Sequence, residues 1–167
     1  MWWSEARIVR LPLLAAALLA LAGCGFRLQG GLDLPAGVER VYVSTADELS
    51  PFGVAMRERL DAVGAREPRS AGNADAVVRV LSERTGRRVL SVSARNTPKE
   101  YELFYTVNFA IDRAGTEVVP REELSMTRNI SFEETQLLAK DREERILREA
   151  LARDLADLVL RRLEALP

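Results

Sequence analysis

Cys24 is the only cysteine in the chain, and it follows Leu21, Ala22 and Gly23 directly. A thiol behind two small residues is a place where a peptidase can cut and the sulfur can be modified, because Ala and Gly fit a narrow cleavage pocket. Other nucleophilic chemistry is poorly served. The 167 residues contain no histidine, which removes Ser-His-Asp and Cys-His pairs together with the commonest neutral metal ligand and general base. One cysteine cannot close an internal disulfide, and no Cys/His zinc cluster can be built. Carboxylates remain: Glu133, Glu134, Glu143 and Glu144 fall in a helical pattern among cations. Acid–base work would need a raised pKa in a cleft, so the residues describe a protein that is not an enzyme.

The second group with chemistry is cationic. Arg84, Arg87, Arg88, Arg95 and Lys99 follow one another with no acid until Glu100. Guanidinium forks match phosphate oxygens, and Arg95-Asn96 occupies turn-forming sequence ahead of a strand, where binding residues concentrate. A run of this kind is equally a solvated hairpin.

The N-terminus positions Cys24. Met1 to Arg10 carries Arg7 and Arg10 against Glu5, and Leu11 to Leu21 is apolar apart from Pro12. Eleven residues fall short of the roughly 20 that a membrane-spanning helix needs and fit the core of an export signal. An uncleaved helix and a plain secretory signal are the competing readings. The order Leu21-Ala22-Gly23-Cys24 resembles the lipobox of bacterial lipoproteins. That resemblance implies cleavage after Gly23, an S-diacylglyceryl group and an N-acyl group on Cys24, and no other cofactor. Two or three acyl chains, at about 0.8 kcal/mol per buried methylene, hold a protein on a bilayer almost permanently. The chain then divides into a signal peptide (1–23), a Gly- and Pro-containing lipidated tether (24–37) and one domain (38–167). Loss of Arg7, Arg10 and Glu5 changes the formal net charge from −1 to −2. A near-neutral body offers nucleic acid no field.

Within the domain, Val38 to Ser44 is β-rich. Ser50-Pro51 is an N-cap followed by a first-turn proline, and Phe52, Met56, Leu60 and Val63 recur at helical spacing up to Gly64. Ala76 to Glu83 predicts a strand, Thr85-Gly86 a turn, and Arg88 to Ser93 a returning strand. Tyr101, Leu103, Tyr105, Val107, Phe109 and Ile111 alternate with Glu102, Thr106 and Asn108, which predicts a strand with one face on a core. Asp112-Arg113-Ala114-Gly115 is a hairpin turn, and Leu124 to Phe132 alternates as the return. Ser131 to Glu134 matches a capping box for a helix reaching about Leu166, with an interruption near Lys140-Asp141. Glu144→Arg148, Glu149→Arg153 and Asp157→Arg161 are favourable i,i+4 pairs on it. The expected architecture is a single α+β domain. It has about four to five strands in a mostly antiparallel or mixed sheet, with two amphipathic helices on one face. The strand order is open.

Three segments carry a family likeness: Cys24-Gly25-Phe26-Arg27-Leu28; Lys99 through Asn108, with its Glu100-Tyr101 start and Val107-Asn108 end; and Leu138-Ala139-Lys140-Asp141 before the final helix. Together they resemble the LptE family of lipopolysaccharide-assembly lipoproteins of the Gram-negative outer membrane. The resemblance implies a lipid-anchored protein on the periplasmic side of that membrane. It would plug the lumen of an LptD-like outer-membrane β-barrel, help that barrel assemble, and assist delivery of lipopolysaccharide to the outer leaflet. In that frame Arg95 and Lys140, with Arg87 and Arg88, are the candidate contacts to lipopolysaccharide phosphates. The runner-up is an accessory lipoprotein of another outer-membrane complex, a secretin pilotin or a barrel-assembly subunit.

Overall fold

In a computed structural model, the structure describes residues 34–131 and 137–166. The signal peptide, Cys24, the tether up to residue 33 and the capping-box residues after Ser131 lie outside the described residues. The elements run β1 (Val41–Ser44), α1 (Pro51–Ala62), a 3-10 turn (Ala71–Asn73), β2 (Ala76–Val92), β3 (Pro98–Arg113), β4 (Thr116–Ser131) and α2 (Leu137–Glu164). They form a four-stranded mixed sheet in the order β1-β2-β3-β4. β1 pairs with β2 in parallel, and the other neighbours are antiparallel. This is the α+β class the alternation predicted.

The odd positions of β3 set the layers. Leu103, Tyr105, Val107, Phe109 and Ile111 are buried, and they share one core with Phe52 and Met56 of α1 and Leu151, Leu155, Val159 and Leu163 of α2. Both helices therefore cover the same face. Burying side chains of this size contributes about 1.5–3 kcal/mol each, which outweighs the sequence's local preferences elsewhere. Asp75 stitches the parallel edge. Its carboxylate accepts from Glu39 N at 3.1 Å, Arg40 N at 2.9 Å and Arg40 Nη2 at 2.7 Å. The Arg40 guanidinium and these amides hold the acid well below the usual carboxylate range.

Three details differ from the sequence expectation: the Thr85-Gly86 turn, the start of β4 and the break in α2. Thr85-Gly86 is no turn: β2 runs unbroken to Val92, with Arg84 to Val89 paired to Thr106 to Tyr101. The reversal comes at Ser93–Thr97, where Asn96 takes a φ of 60°. β4 begins at Thr116, because Ala114 and Gly115, both at positive φ, close a tight hairpin. Pro120 is tolerated there because β4 is an edge strand. α2 is continuous through Lys140-Asp141.

Gly86 looked like a turn residue but answers a cross-strand demand. It lies opposite Phe104, and a Cβ at residue 86 would come within 2.8 Å of Phe104 Cζ. The ring fills the space that the glycine leaves on the face away from the helices. We expect Gly86→Val to destabilise the fold by about 1–2 kcal/mol, with Phe104→Ala in the same chain relieving most of that strain. Denaturant unfolding of the two single variants and the double variant checks it; strict additivity would contradict the packing.

Candidate functional site

Strand periodicity decides what the cationic run can do. Arg87 and Arg88 are neighbours on β2, so they point to opposite faces. On the helix face, Arg87 Nη1 lies 3.2 Å from Glu144 Oε2, and its guanidinium rides 5.1 Å above the Tyr101 ring. Glu144 is only 8% exposed and also binds Arg148 one turn on. This carboxylate ties α2 to the hairpin formed by β2 and β3. On the other face, Arg88 pairs with Glu102 and covers Phe104 at 5.4 Å. Arg84 is bridged to Glu123 at 3.2 Å.

Arg95 stands at the hairpin tip. The turn is locked by the Ser93 amide, which donates to Thr97 O at 2.7 Å, and by Ser93 Oγ, which accepts from the Arg95 and Thr97 amides. Among the described residues, the Arg95 and Lys99 side chains have no ion pair, unlike Arg84, Arg87 and Arg88. Lys140 opens the second turn of α2. Its Nζ donates to Ser131 O at 2.7 Å and Glu143 Oε2 at 2.9 Å. Ser131 pairs with Glu100 at the end of β4. The fold therefore brings Lys140 to the same end of the sheet as Arg95, although 44 positions separate them in the sequence. Glu144→Arg148 is the i,i+4 pair expected. Asp157 instead turns to Arg59 of α1 at 2.7 Å.

A second cluster was not anticipated. Tyr105 Oη donates to Glu83 Oε2 at 2.6 Å, Ser50 Oγ donates to Glu83 Oε1 at 2.8 Å, and the Phe52 amide donates to Tyr105 Oη at 3.3 Å. Tyr105, Glu83 and Ser50 line a cleft of about 360 Å³ at the start of α1. A carboxylate beside a helix N-terminus complements the positive end of the helix dipole, and Ser50 caps the helix through the Gly53 amide. The arrangement is a structural joint between β2, β3 and α1. Alternation could place Tyr105 inward but could not reveal Glu83 beneath it, because a bulge after Val80 changes which residues of β2 face the helices.

Burial, with the Glu83 carboxylate beside it, pushes the Tyr105 phenol above its ordinary value of 10.0. A raised folded-state pKa contributes stability that is complete below the unfolded value and is lost as pH climbs through the folded one. Wild-type stability should therefore fall above about pH 10, and Tyr105→Phe should remove that part of the decline while costing about 1–2 kcal/mol at neutral pH. Denaturation curves at pH 7 to 11 check both; parallel alkaline slopes would contradict the assignment.

Comparison with known proteins gives the same picture over the whole domain. The LptE family model, described as lipopolysaccharide-assembly, matches residues 38–163. The chain is 30% identical over 153 residues to the LPS-assembly lipoprotein LptE of Pectobacterium atrosepticum, covering 90% of this chain and 82% of the relative. It is 28% identical to the protein of the same name from Photorhabdus laumondii, covering 94% and 85%. Among solved structures, it resembles lipoprotein B of Nitrosomonas europaea with a TM-score of 0.70 and 28% identity, over 84% of this chain and 91% of that one. It also resembles rare lipoprotein B of Shewanella oneidensis with a TM-score of 0.65 and 27% identity, over 74% and 92%. A family match from the first strand to the end of α2, on a sheet and helices shared with these lipoproteins, establishes that the chain belongs to the LptE lipopolysaccharide-assembly family.

Proposed function

We propose that this protein is a lipid-anchored, non-catalytic subunit of lipopolysaccharide assembly. It is held by acyl chains on Cys24, fills the lumen of an LptD-like outer-membrane β-barrel, and contacts lipopolysaccharide phosphates through Arg95 and Lys140. The observation that carries the reading is the convergence of Arg95 and Lys140 on one end of the sheet, in a chain of this family. The rest of the body supports the filler role. Ion pairs such as Arg79–Asp112, Arg59–Asp157 and Arg162–Glu122 neutralise its charged side chains within the chain. A wide barrel has a polar, aqueous interior, and a surface of interspersed, self-neutralised charge suits it better than an apolar or single-signed one.

Extraction in mild detergent should recover the chain with an LptD-like barrel. Cys24→Ala should leave the exported chain unlipidated and reduce the outer-membrane fraction. Arg95→Ala/Lys140→Ala should weaken lipopolysaccharide binding at least tenfold without loss of the barrel, each lost charged contact accounting for about 1.5–3 kcal/mol. Recovery with a secretin and no such barrel would favour the accessory-lipoprotein alternative. Undiminished lipopolysaccharide affinity in the double variant would remove the contact residues.

A further inference from the structure

Half-exposed aliphatic side chains are unusually concentrated at the end of β2. Val89, Leu90 and Val92 are 49%, 46% and 52% exposed, within four residues of one another. Elsewhere on β2, β3 and β4 the exposed large aliphatics are single, at Leu81 and Val118. Single apolar residues are ordinary surface; Val89 is paired with Tyr101 of the helix-facing row, so the pair that calls for an occupant is Leu90 and Val92, two positions apart at the strand's end. The backbone here is irregular as well. Pairing passes from Val89↔Tyr101 to Ser91↔Glu100 and then to Val92↔Pro98, which leaves Leu90 and Lys99 each without a rung. Bulges of this kind re-aim a side chain.

The charges beside the strip select its occupant. Arg95 and Lys99 flank it and have no ion pair among the described residues, while Glu100, next to Lys99 in the sequence, accepts from Ser91 Oγ at 2.8 Å. An anion that met Arg84, Arg87 or Arg88 would compete with a carboxylate already in place, as it would with Glu143 at Lys140. An anion that met Arg95 and Lys99 would gain two charge-assisted contacts outright. Unpaired cations beside bare aliphatic carbon fit a molecule that joins a phosphate to a hydrocarbon chain.

We propose that the tip of the β2–β3 hairpin is a two-part seat for a phosphorylated amphiphile: Arg95 and Lys99 take the phosphate, and Leu90 and Val92 take the first methylenes of an adjoining acyl chain. This rests on the reading that the protein contacts lipopolysaccharide, and it adds Lys99 as the partner of Arg95 and an apolar half to the site. Recognition of both halves discriminates an intact lipid from free phosphate and from sugar phosphate. It also gives the acyl chain cover from water at the moment it leaves its neighbours.

The test uses the full chain, purified with its membrane partner, and four probes: intact lipopolysaccharide, enzymatically dephosphorylated lipopolysaccharide, fully deacylated lipopolysaccharide and inorganic phosphate. Leu90→Thr/Val92→Thr keeps strand-compatible residues at exposed positions. It should weaken binding of intact lipid about tenfold, because two half-exposed side chains lose apolar contact, and leave the deacylated probe unchanged. Lys99→Gln should weaken intact and deacylated probes about tenfold and leave the dephosphorylated one unchanged. Inorganic phosphate should compete only weakly. Normal wild-type binding with Leu90→Thr/Val92→Thr equal to wild type would overturn this proposal alone. Failure of wild type to bind any lipopolysaccharide would overturn it together with the contact reading. A change of oligomeric state in Leu90→Thr/Val92→Thr would overturn it in favour of an interface between copies.

Discussion

Burial of one face of β3 is the constraint on which the rest of this structure depends. Leu103, Tyr105, Val107, Phe109 and Ile111 are essentially inaccessible beneath α1 and α2. A slip of one residue would carry that whole set to the open face, so the register of β3 is fixed, and β2 and β4 are fixed through it. The opposite face of the same strand carries Thr106 and Asn108, which are buried yet satisfied: Thr106 pairs with Ser125 Oγ at 2.8 Å, and Asn108 donates to Ser82 and Glu123. The sheet is dry on one side and ruled by hydrogen bonds and ion pairs on the other.

The hairpin of β2 and β3 extends that order beyond the core. Where apolar burial ends, the Arg87–Glu144–Arg148 cluster takes over, and Arg88 with Phe104 and Gly86 fills the other face. Ser93 then closes the tip with side-chain and main-chain bonds. The cations that remain without partners among the described residues therefore stand on a braced extension. Binding an anion there requires little ordering of the chain, which lowers the entropic cost of recognition.

Much of this was legible in the residues. The period-two alternation of Tyr101 to Ile111 located the central strand and its buried face, and Ser50-Pro51 placed the start of α1. Arg95 and Lys140 were singled out by the cationic run and the family likeness, but that the fold brings them to one end of the sheet was not legible, because no periodicity links them. The errors have a common cause. Thr85-Gly86 carries a strong local turn signal, but the pairing of β2 with β3 at fifteen positions is a larger energy than one glycine's preference, and the true requirement on Gly86 is the Phe104 ring opposite. The bulge after Val80 is equally invisible locally, since it records how β2 accommodates β3, and it decides that Glu83 lies beneath Tyr105. Glu144 was read as a helix-surface partner of Arg148; its burial against Arg87 is a tertiary fact.

The proposed seat gives the molecule a polarity: lipid would meet the end of the sheet that carries Arg95 and not the opposite end, where Ala71–Asn73 and the Ala114-Gly115 turn lie. Site-specific photo-crosslinking in intact cells tests this most directly, with p-benzoylphenylalanine in place of exposed Ala94 at the tip or exposed Gly72 at the far end. Lipopolysaccharide adducts at residue 94 and none at residue 72 are the predicted result. Adducts of equal yield at both positions, or at residue 72 alone, would contradict it.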